Sequence, residues 1–570
     1  MKLTARMRLI SVTVFFVLAA GALVARAIDL QVMRHPFLAD RAAHQHLRTI
    51  ELPAHRGMIL GRNGQPLAIS TPVYAIWVNP RVVTGRKVDL APVARALKID
   101  PAEVARRVRA NANRAFLYLA RGVIPSEARA IVANHLPGVH DKREYRRYYP
   151  AGPVAAQVVG FTNIDDSGQN GLELEYNHWL DGKPGSMRVV TSANGRAVES
   201  DDVVSRPQPG HDLTTTLDMR IQYLAYQALA QMVARQEASS GSAVVLDAGT
   251  GDVLAMVNQP SCNPNVRSDL KPALCRNRAV TDLFEPGSSF KPFIVAAALA
   301  SGQWTPQSTV QTGNGVWSIG GYTLHDDEPL GTITLTRLLQ KSSNIGAAKV
   351  ALSLPSDYLY RVLSGFGFGR PAASGFPGAA DGRMPFYGRW RPVEQAAISR
   401  GYGVSVSALE LAEGYLAIAN GGVYRAATFV KSQGQSSGVR VVPGAIADQL
   451  RNMLTTVVSD DGTGYKAQIP NYQVAGKTGT ARLYKDGGYS DLYNSVFAGM
   501  APAHDPRLVV VVVIRGASQG HFFASQIAAP VFRKIMAASL RLLDIAPDTG
   551  TVLAKNGITG ATGSKKRSKS

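Results

Sequence analysis

An unbroken apolar stretch, Leu9 to Ala25, lies between Lys2, Arg6 and Arg8 on one side and Arg26 on the other. About seventeen residues is the lower limit for a helix that crosses a bilayer, and snorkelling of Arg26 extends the apolar length over Ala27 and Ile28. The pattern predicts a transmembrane anchor over 9–28, preceded by a cytoplasmic tip at 1–8. The competing reading is a cleaved signal peptide, because Ala25-Arg26-Ala27 fits a small-x-small cleavage site. Signal cores usually run only about 7–15 residues, so length favours the anchor. Positive charge ahead of the stretch predicts that the rest of the chain lies across the membrane.

From 29 to 205, short β-rich runs such as Val73–Val78 alternate with a basic, helix-like stretch from Arg106 to Arg147, which predicts a separate first module. Arg206-Pro207-Gln208-Pro209-Gly210 can neither continue a helix nor pair as a central strand, and predicts a linker over 206–210. Beyond it Leu213, Thr215 and Leu217 alternate as a strand. Asp218 then caps a helix whose Ile221, Leu224, Ala225, Ala228, Leu229 and Met232 recur at helical spacing. Ser242–Leu246 and Val253–Val257 bracket Asp247-Ala248-Gly249-Thr250-Gly251 and predict a β-hairpin. Leu508 to Ile514 is continuously apolar, too short for a bilayer, and predicts a sheet-centre strand buried on both faces. The second module therefore runs over 211–546 as a mixed fold with antiparallel pairing, followed by a basic, disordered tail at 547–570. Gly365, Gly367 and Gly369 do not match a dinucleotide fingerprint and predict a tight turn.

Composition narrows the function classes. With 570 residues, 45% hydrophobic and 18% charged, the chain is globular and large enough for more than one core. Sixty-two Lys and Arg against 41 Asp and Glu give a net charge of +21, which favours anionic partners. Export of the chain disfavours nucleic acid and leaves acidic lipid head groups or another anionic polymer. The two cysteines, Cys262 and Cys275, would then face oxidising conditions. They form either one disulfide, worth about 3 kcal/mol in a chain-entropy account, or two small buried thiols. The histidines form no zinc-type ligand set: His44 and His46, and His325 before Asp326 and Asp327, read as surface residues.

Chemistry is concentrated in the second module. In Glu285-Pro286-Gly287-Ser288-Ser289-Phe290-Lys291, Ser288 and Lys291 stand at the start of a helix and on one face of it. That spacing suits a serine nucleophile beside a lysine base whose pKa is lowered by burial or by a second cation. Ser-x-x-Lys alone is weak evidence, with a capped helix and a surface lysine as the plainer explanation. It gains weight from Ser342-Ser343-Asn344 and Lys477-Thr478-Gly479-Thr480, which follow in chain order. Ser342 can relay a proton, Asn344 can hold a substrate amide, and Lys477 can supply the second cation. Gly479 would let a substrate backbone approach a strand edge.

These motifs, with Arg56-Gly57-Met58-Ile59, Arg147-Tyr148-Tyr149-Pro150, Gly171-Leu172-Glu173, Ala419-Asn420-Gly421-Gly422 and Phe497-Ala498-Gly499, make the sequence resemble the class B penicillin-binding proteins along nearly its whole length. Asn344 in the second motif favours the division-septum branch. The resemblance implies an α/β (α+β) multidomain protein: one anchor helix, an elongated β-rich pedestal, and a transpeptidase domain with an antiparallel sheet flanked by helices, as in serine β-lactamases. It implies that Ser288 attacks the penultimate D-Ala carbonyl of a peptidoglycan stem peptide and that the N–H groups of Ser288 and Thr480 form an oxyanion hole. Thr478 and Thr480 would hold the carboxylate of the stem or of a β-lactam. No cofactor or metal is implied; the implied partners are peptidoglycan, β-lactams, the membrane, an FtsW-like glycan polymerase and other division proteins. The implied location is the bacterial inner membrane, single-pass, with a periplasmic catalytic domain. Gly61, and Ser407-Ala408-Leu409-Glu410 at a helix start, depart from the family pattern. A bridge between Cys262 and Cys275 would restrain the loop ahead of the active-site helix.

Three other functions are weighed. A D,D-carboxypeptidase or β-lactamase would use the same Ser288 and Lys291, but no Glu-x-x-Leu-Asn segment follows Ser342-Ser343-Asn344 to position a hydrolytic water. A glycosyltransferase domain would need a Glu-Asp-x-x-Phe motif before the linker, and the sequence has none there. A non-catalytic division scaffold or β-lactam sensor is disfavoured by the intact polar set and by a cytoplasmic tip too short for a signalling module.

Overall fold

Leu508–Ile514 lies within the central strand of a five-stranded antiparallel sheet in a computed structural model that describes residues 2–35, 47–191, 197–371, 373–431, 438–485, 488–517 and 523–549. The strands are β1 (Ser240–Asp247), β2 (Val253–Gln259), β3 (Ala475–Lys485), β4 (Gly488–Ala501) and β5 (Leu508–Ala517), in the order β2-β1-β5-β4-β3. Both faces of β5 are covered, as its pattern predicts: Val509, Val511 and Val513 enter one hydrophobic cluster, and Leu508, Val510, Val512 and Ile514 enter another. β1 splits the same way, with Val244 and Leu246 on one side and Ala243 and Val245 on the other. The predicted hairpin joins β1 to β2, and Asp247 Oδ1 closes its turn by accepting from the N–H groups of Gly249 and Thr250 at 2.9 and 3.0 Å.

One face of the sheet is covered by α1 (Met219–Arg235) and α5 (Ala528–Leu542), whose Ile221, Ala225, Leu229, Phe532 and Ile535 are buried together. Asp218 caps α1, accepting from the Arg220 N–H at 3.0 Å. The strand predicted at Leu213–Leu217 is only Leu213–Thr214, paired parallel to Ile59–Leu60, because Asp218 already turns the chain into α1. Against the other face lies α4 (Ala408–Ala419), which shares one hydrophobic cluster with α2 (Lys291–Ala300) and α3 (Asn344–Leu352), all rich in small buried residues. Ser407, one of the departures from the family pattern, starts α4 with a reciprocal cap: its hydroxyl accepts from the Glu410 N–H at 3.1 Å, and the Glu410 carboxylate accepts from the Ser407 N–H at 2.6 Å.

The chain divides into two units: Met1–Gly57, Ser70–Arg146 and Asp181–His211 form one, and Met58–Ile69, Arg147–Leu180 and Asp212–Ser570 form the other. Two segments that a single linear division at 206–210 gives to the first module thus group with the second. The motifs Arg147-Tyr148-Tyr149-Pro150 and Gly171-Leu172-Glu173 meet inside this second unit, where Arg147 Nε donates to Glu173 Oε1 at 2.6 Å with both side chains buried. In the first unit, Leu47–Leu52, Gly185–Thr191 and Ala197–Ser205 form one small sheet; the strands Pro66–Val78 and Val139–Tyr148, which pair with each other, lie there from Ser70 on and up to Arg146, and Pro66–Val78 also pairs with Leu117–Val123. The Arg206–Gly210 run is tied down, since Gln208 and Lys183 exchange backbone hydrogen bonds at 2.8 and 2.9 Å.

The helix expected across Arg106–Arg147 is a correction: only Pro101–Ala110 and Pro125–Val132 are helical there, and two strands separate and follow them. Leu119 and Val123, the two buried residues of the first of these strands, stand four apart with half-buried Arg121 between them on the same face, a spacing that fits a helix as well as a strand. The N-terminal helix Lys2–Ile28 continues into a π-helical turn, Asp29–Met33, and Arg6–Met33 is the one described helix long and apolar enough to cross a membrane. His44, His46 and residues 550–570 of the expected tail lie outside the described residues.

Candidate active site

Ser288 sits in a single 3-10 turn, Gly287–Phe290, that feeds directly into α2. Every residue from Lys291 to Leu299 is buried, so the helix is fixed on all sides by packing. Phe290 and Phe293 pack against Phe366, Phe368 and Tyr415, with ring centroids 4.7–5.4 Å apart. The glycine-spaced phenylalanines are therefore core residues that support the nucleophile's helix. The Tyr415 hydroxyl donates to the Ser289 carbonyl at 2.8 Å. Gly401, at φ +74°, backs the turn: its carbonyl accepts from the Gly287 N–H at 3.2 Å, and a Cβ there would stand 2.2 Å from the Gly287 carbonyl oxygen.

The three polar motifs converge on one hydroxyl. Lys291 Nζ donates to Asn344 Oδ1 at 2.8 Å and to the Ser342 carbonyl, and it stands 3.3 Å from Ser342 Oγ. From the opposite side, Lys477 Nζ on β3 donates to Ser342 Oγ at 3.0 Å. Ser342 follows the helix Leu335–Lys341 in a left-handed conformation, φ +60°, which turns its side chain between the two lysines at a cost of about 1–3 kcal/mol. Ser343 then caps α3. Asp326 holds this junction, accepting from the Ser343 hydroxyl at 2.6 Å and from the N–H groups of Asn344 and Ile345. Neighbouring His325 is exposed, as expected, but its carbonyl accepts from Asn344 Nδ2 at 2.8 Å.

Burial decides the electrostatics. Lys291 is held well below the usual lysine range, chiefly by burial and then by the nearby Lys477 charge. Lys477 is itself pushed down by burial, to about 7. The cation expected from Lys477 is thus the lesser cause for Lys291, and the two amines share a site where one positive charge is far cheaper than two.

Ser288, Ser342, Asn344, Thr478 and Thr480 line one open cleft of about 350 Å³, together with Asp327, Arg400, Tyr402, Thr463, Tyr465 and the segment Phe523–Ser525. Lys291 and Lys477 stand behind this wall, fully buried. Among the described residues the Ser288 hydroxyl has no hydrogen-bond acceptor or donor, so it is open to the cleft. Its backbone N–H falls in the first turn of a helix, where such groups lack an intrahelical partner. β3 is an edge strand, so alternate backbone groups face the cleft and not β4. The Thr478 hydroxyl is hydrogen-bonded to Thr463 at 2.9 Å, and Thr480 Oγ1 accepts from the Ala524 N–H at 3.1 Å. A Cβ at Gly479 would meet the Pro286 carbonyl oxygen at 2.6 Å, so the protein's own nucleophile turn makes a close approach there. Among the described residues no group of three His, Cys, Asp or Glu could hold a metal ion.

Sequence reasoning passed over Asp326 as a helix-start ligand, and Arg400 and Tyr402 as cleft residues. Gly401-Tyr402-Gly403 was a readable turn signal, but nothing local says that the turn meets Ser288. Cys262 and Cys275 are disulfide-bonded, 5.2 Å apart at Cα, and buried against Ala156.

Residues 241–537 match the family model of the penicillin binding protein transpeptidase domain, and residues 51–215 that of the penicillin-binding protein dimerisation domain. The chain is 42% identical to a probable peptidoglycan D,D-transpeptidase, PbpC, of Pseudomonas aeruginosa, over 95% of this chain and 96% of that protein. It is 40% identical to the peptidoglycan D,D-transpeptidase FtsI of Escherichia coli, over 95% of this chain and 92% of that one. Among solved structures, penicillin-binding protein 3 of Mycobacterium tuberculosis, complexed with aztreonam, is 28% identical with a TM-score of 0.68, covering 87% of this chain and 99% of that one. With a helix-start serine, two buried lysines and a bridging serine inside the matched domain, the chain belongs to the penicillin-binding protein family, in its class B form.

Proposed function

We propose that the chain is a serine-type peptidoglycan D,D-transpeptidase that cross-links stem peptides at the division septum and is a target of β-lactams. The observation that carries this reading is the placement of Ser342 Oγ between Lys291 and Lys477 beside an unengaged Ser288. In the first step Ser288 Oγ bonds to the penultimate D-Ala carbonyl carbon while its proton passes to neutral Lys291. The oxyanion is held by the N–H groups of Ser288 and Thr480, where one such donor is typically worth about 3 kcal/mol. When the C–N bond to the terminal D-Ala breaks, the proton returns through Ser342 to the leaving nitrogen. An amine of a second stem then attacks the ester carbon and gives a proton through Ser342 to Lys291, which returns it to Ser288 Oγ as the ester C–O bond breaks. Asn344 Nδ2 and the Thr478 and Thr480 hydroxyls orient the substrate amide and carboxylate.

The apolar helix Arg6–Met33 supports a membrane anchor. Basic residues ahead of it support a cytoplasmic N-terminus and a periplasmic catalytic domain in a single-pass inner-membrane protein. Glycan polymerisation falls to a separate enzyme in this reading, an FtsW-like polymerase reached through the anchor and the first unit.

Incubation of the purified chain with stem pentapeptide and a second stem bearing a free amine tests the reading. Release of D-Ala with formation of a cross-linked dimer supports it; release with only the hydrolysed tetrapeptide contradicts transpeptidation and favours a carboxypeptidase.

A further inference from the structure

Arg400 borders two cavities at once. One is the cleft of Ser288 and Ser342; the other, of about 380 Å³, lies beside it and is walled by Tyr322, Leu324, Val393 and Tyr489. Arg400 and Tyr402 line both, so the two spaces meet at this pair. The guanidinium rests 5.2 Å from the centre of the Tyr402 ring, and its Nε contacts the Ala396 carbonyl at 3.4 Å. Among the described residues no carboxylate lies within ion-pairing distance of it, and its two terminal nitrogens have no protein acceptor. The acidic residues lining the two cavities are otherwise placed: Glu394 is paired with Arg391, and no ion pair joins Asp327 to Arg400. Glu285, on the nucleophile's loop, accepts from the Gly403 N–H and the Tyr489 hydroxyl.

The position is fixed relative to the reacting atoms. Arg400 precedes Gly401, whose contact with Gly287 seats the Ser288 turn, so the guanidinium and the nucleophile are carried by two segments in direct backbone contact. Arginine's planar fork is suited to a carboxylate, and a half-buried guanidinium left without an anion in a cleft is an uncompensated charge.

We propose that Arg400 is an anion-binding subsite for the acyl donor, taking a carboxylate on the peptide other than the terminal one, with the chain beyond it entering the second cavity. This rests on the transpeptidase reading and adds the charge of the donor that the site selects. The terminal carboxylate departs with the expelled residue, whereas one held at Arg400 stays with the acyl-enzyme and keeps it anchored while the acceptor amine attacks.

Two matched thioester donors test it, one carrying a side-chain carboxylate and the other its neutral carboxamide, with Ser288 acylation followed by rapid-quench mass spectrometry. In the wild-type chain the carboxylate donor should acylate about tenfold faster or more, as expected for a charge-assisted hydrogen bond. The ratio should collapse towards one in Arg400→Gln and persist in part in Arg400→Lys. A wild-type ratio near one overturns the proposal without any variant, as does a preference that survives in Arg400→Gln or a loss shared equally by both donors. Failure of wild type to be acylated by either donor contradicts the transpeptidase reading and this proposal with it.

Discussion

Lys477 Nζ donates to Ser342 Oγ at 3.0 Å, which places the third motif's cation on the hydroxyl that also stands 3.3 Å from Lys291. Ser342 occupies a backbone region that disfavours a side chain, and it is retained where only a hydroxyl between two amines explains it. Ser342→Gly should therefore separate stability from activity. Relief at φ +60° should raise stability by about 1 kcal/mol, while acylation by penicillin falls about 100-fold or more. Thermal unfolding and stopped-flow acylation read the two effects; a variant that loses both together would mean that the hydroxyl is only structural.

The same pair sets a pH dependence. A buried lysine with a lowered pKa accepts a proton from Ser288 only while neutral, so protonation at lower pH removes the base. Lys291 is held well below the ordinary range and Lys477 is pushed down to about 7, so acylation should slow as falling pH puts a proton on the pair. A rate constant for acylation that nowhere falls as pH is lowered over the range in which the fold is stable would contradict a lysine base.

Glu413 on α4 provides an independent check on how burial acts in this core. It is fully buried, accepts from the Ala427 N–H at 2.9 Å and the Tyr424 hydroxyl at 3.0 Å, and is pushed up from 4.5 to about 7, chiefly by burial. A raised carboxyl pKa means that the folded state holds a proton the unfolded chain has lost. Its contribution is fully present below about pH 4.5 and is lost as pH rises through 7, an effect of about 3 kcal/mol. Glu413→Gln should lack this loss, so its advantage in Tm over wild type should grow across that interval and level off above it. A constant difference at all pH values would place the proton elsewhere.

Cysteine chemistry gives a fourth test. The bridge spans a sequence separation of 13, for which about 3 kcal/mol is expected from restraint of the unfolded chain. Cys275→Ser should lower Tm and also slow acylation, because the bridged loop leads into the segment before Ser288. Unchanged stability and unchanged acylation would remove any structural role for the pair.

What could be read from the sequence follows the range of the interaction. Ser288 with Lys291, and Ser342 with Asn344, each lie within one turn, so local spacing was enough to single them out. Lys477 joined them through its motif, not through any physical sign of its burial. Leu508–Ile514 was legible because a strand covered on both faces needs seven apolar residues in a row, with no period to detect. Asp326 was not legible as a site residue because the groups it holds at Ser343 and Ile345 lie 17 and 19 residues away, and Arg400 was not because the cleft it lines is assembled from segments far apart in the chain. The missing side chain of Gly479 also makes room for Pro286 and Ser289, a juxtaposition that only the folded sheet creates. The basic stretch Arg106–Arg147 misled because the buried apolar residues of its first strand, Leu119 and Val123, fall four apart as they would on a helix.

The central claim is that Ser288 is the acylated nucleophile. Purified wild-type protein and Ser288→Ala are each incubated with a fluorescent penicillin, and the intact mass is followed for hours. The account predicts one adduct on wild type, stable over that time, and none on Ser288→Ala. An adduct that forms and clears within seconds would contradict a transpeptidase in favour of a hydrolase, and equal labelling of both proteins would contradict the assignment of Ser288.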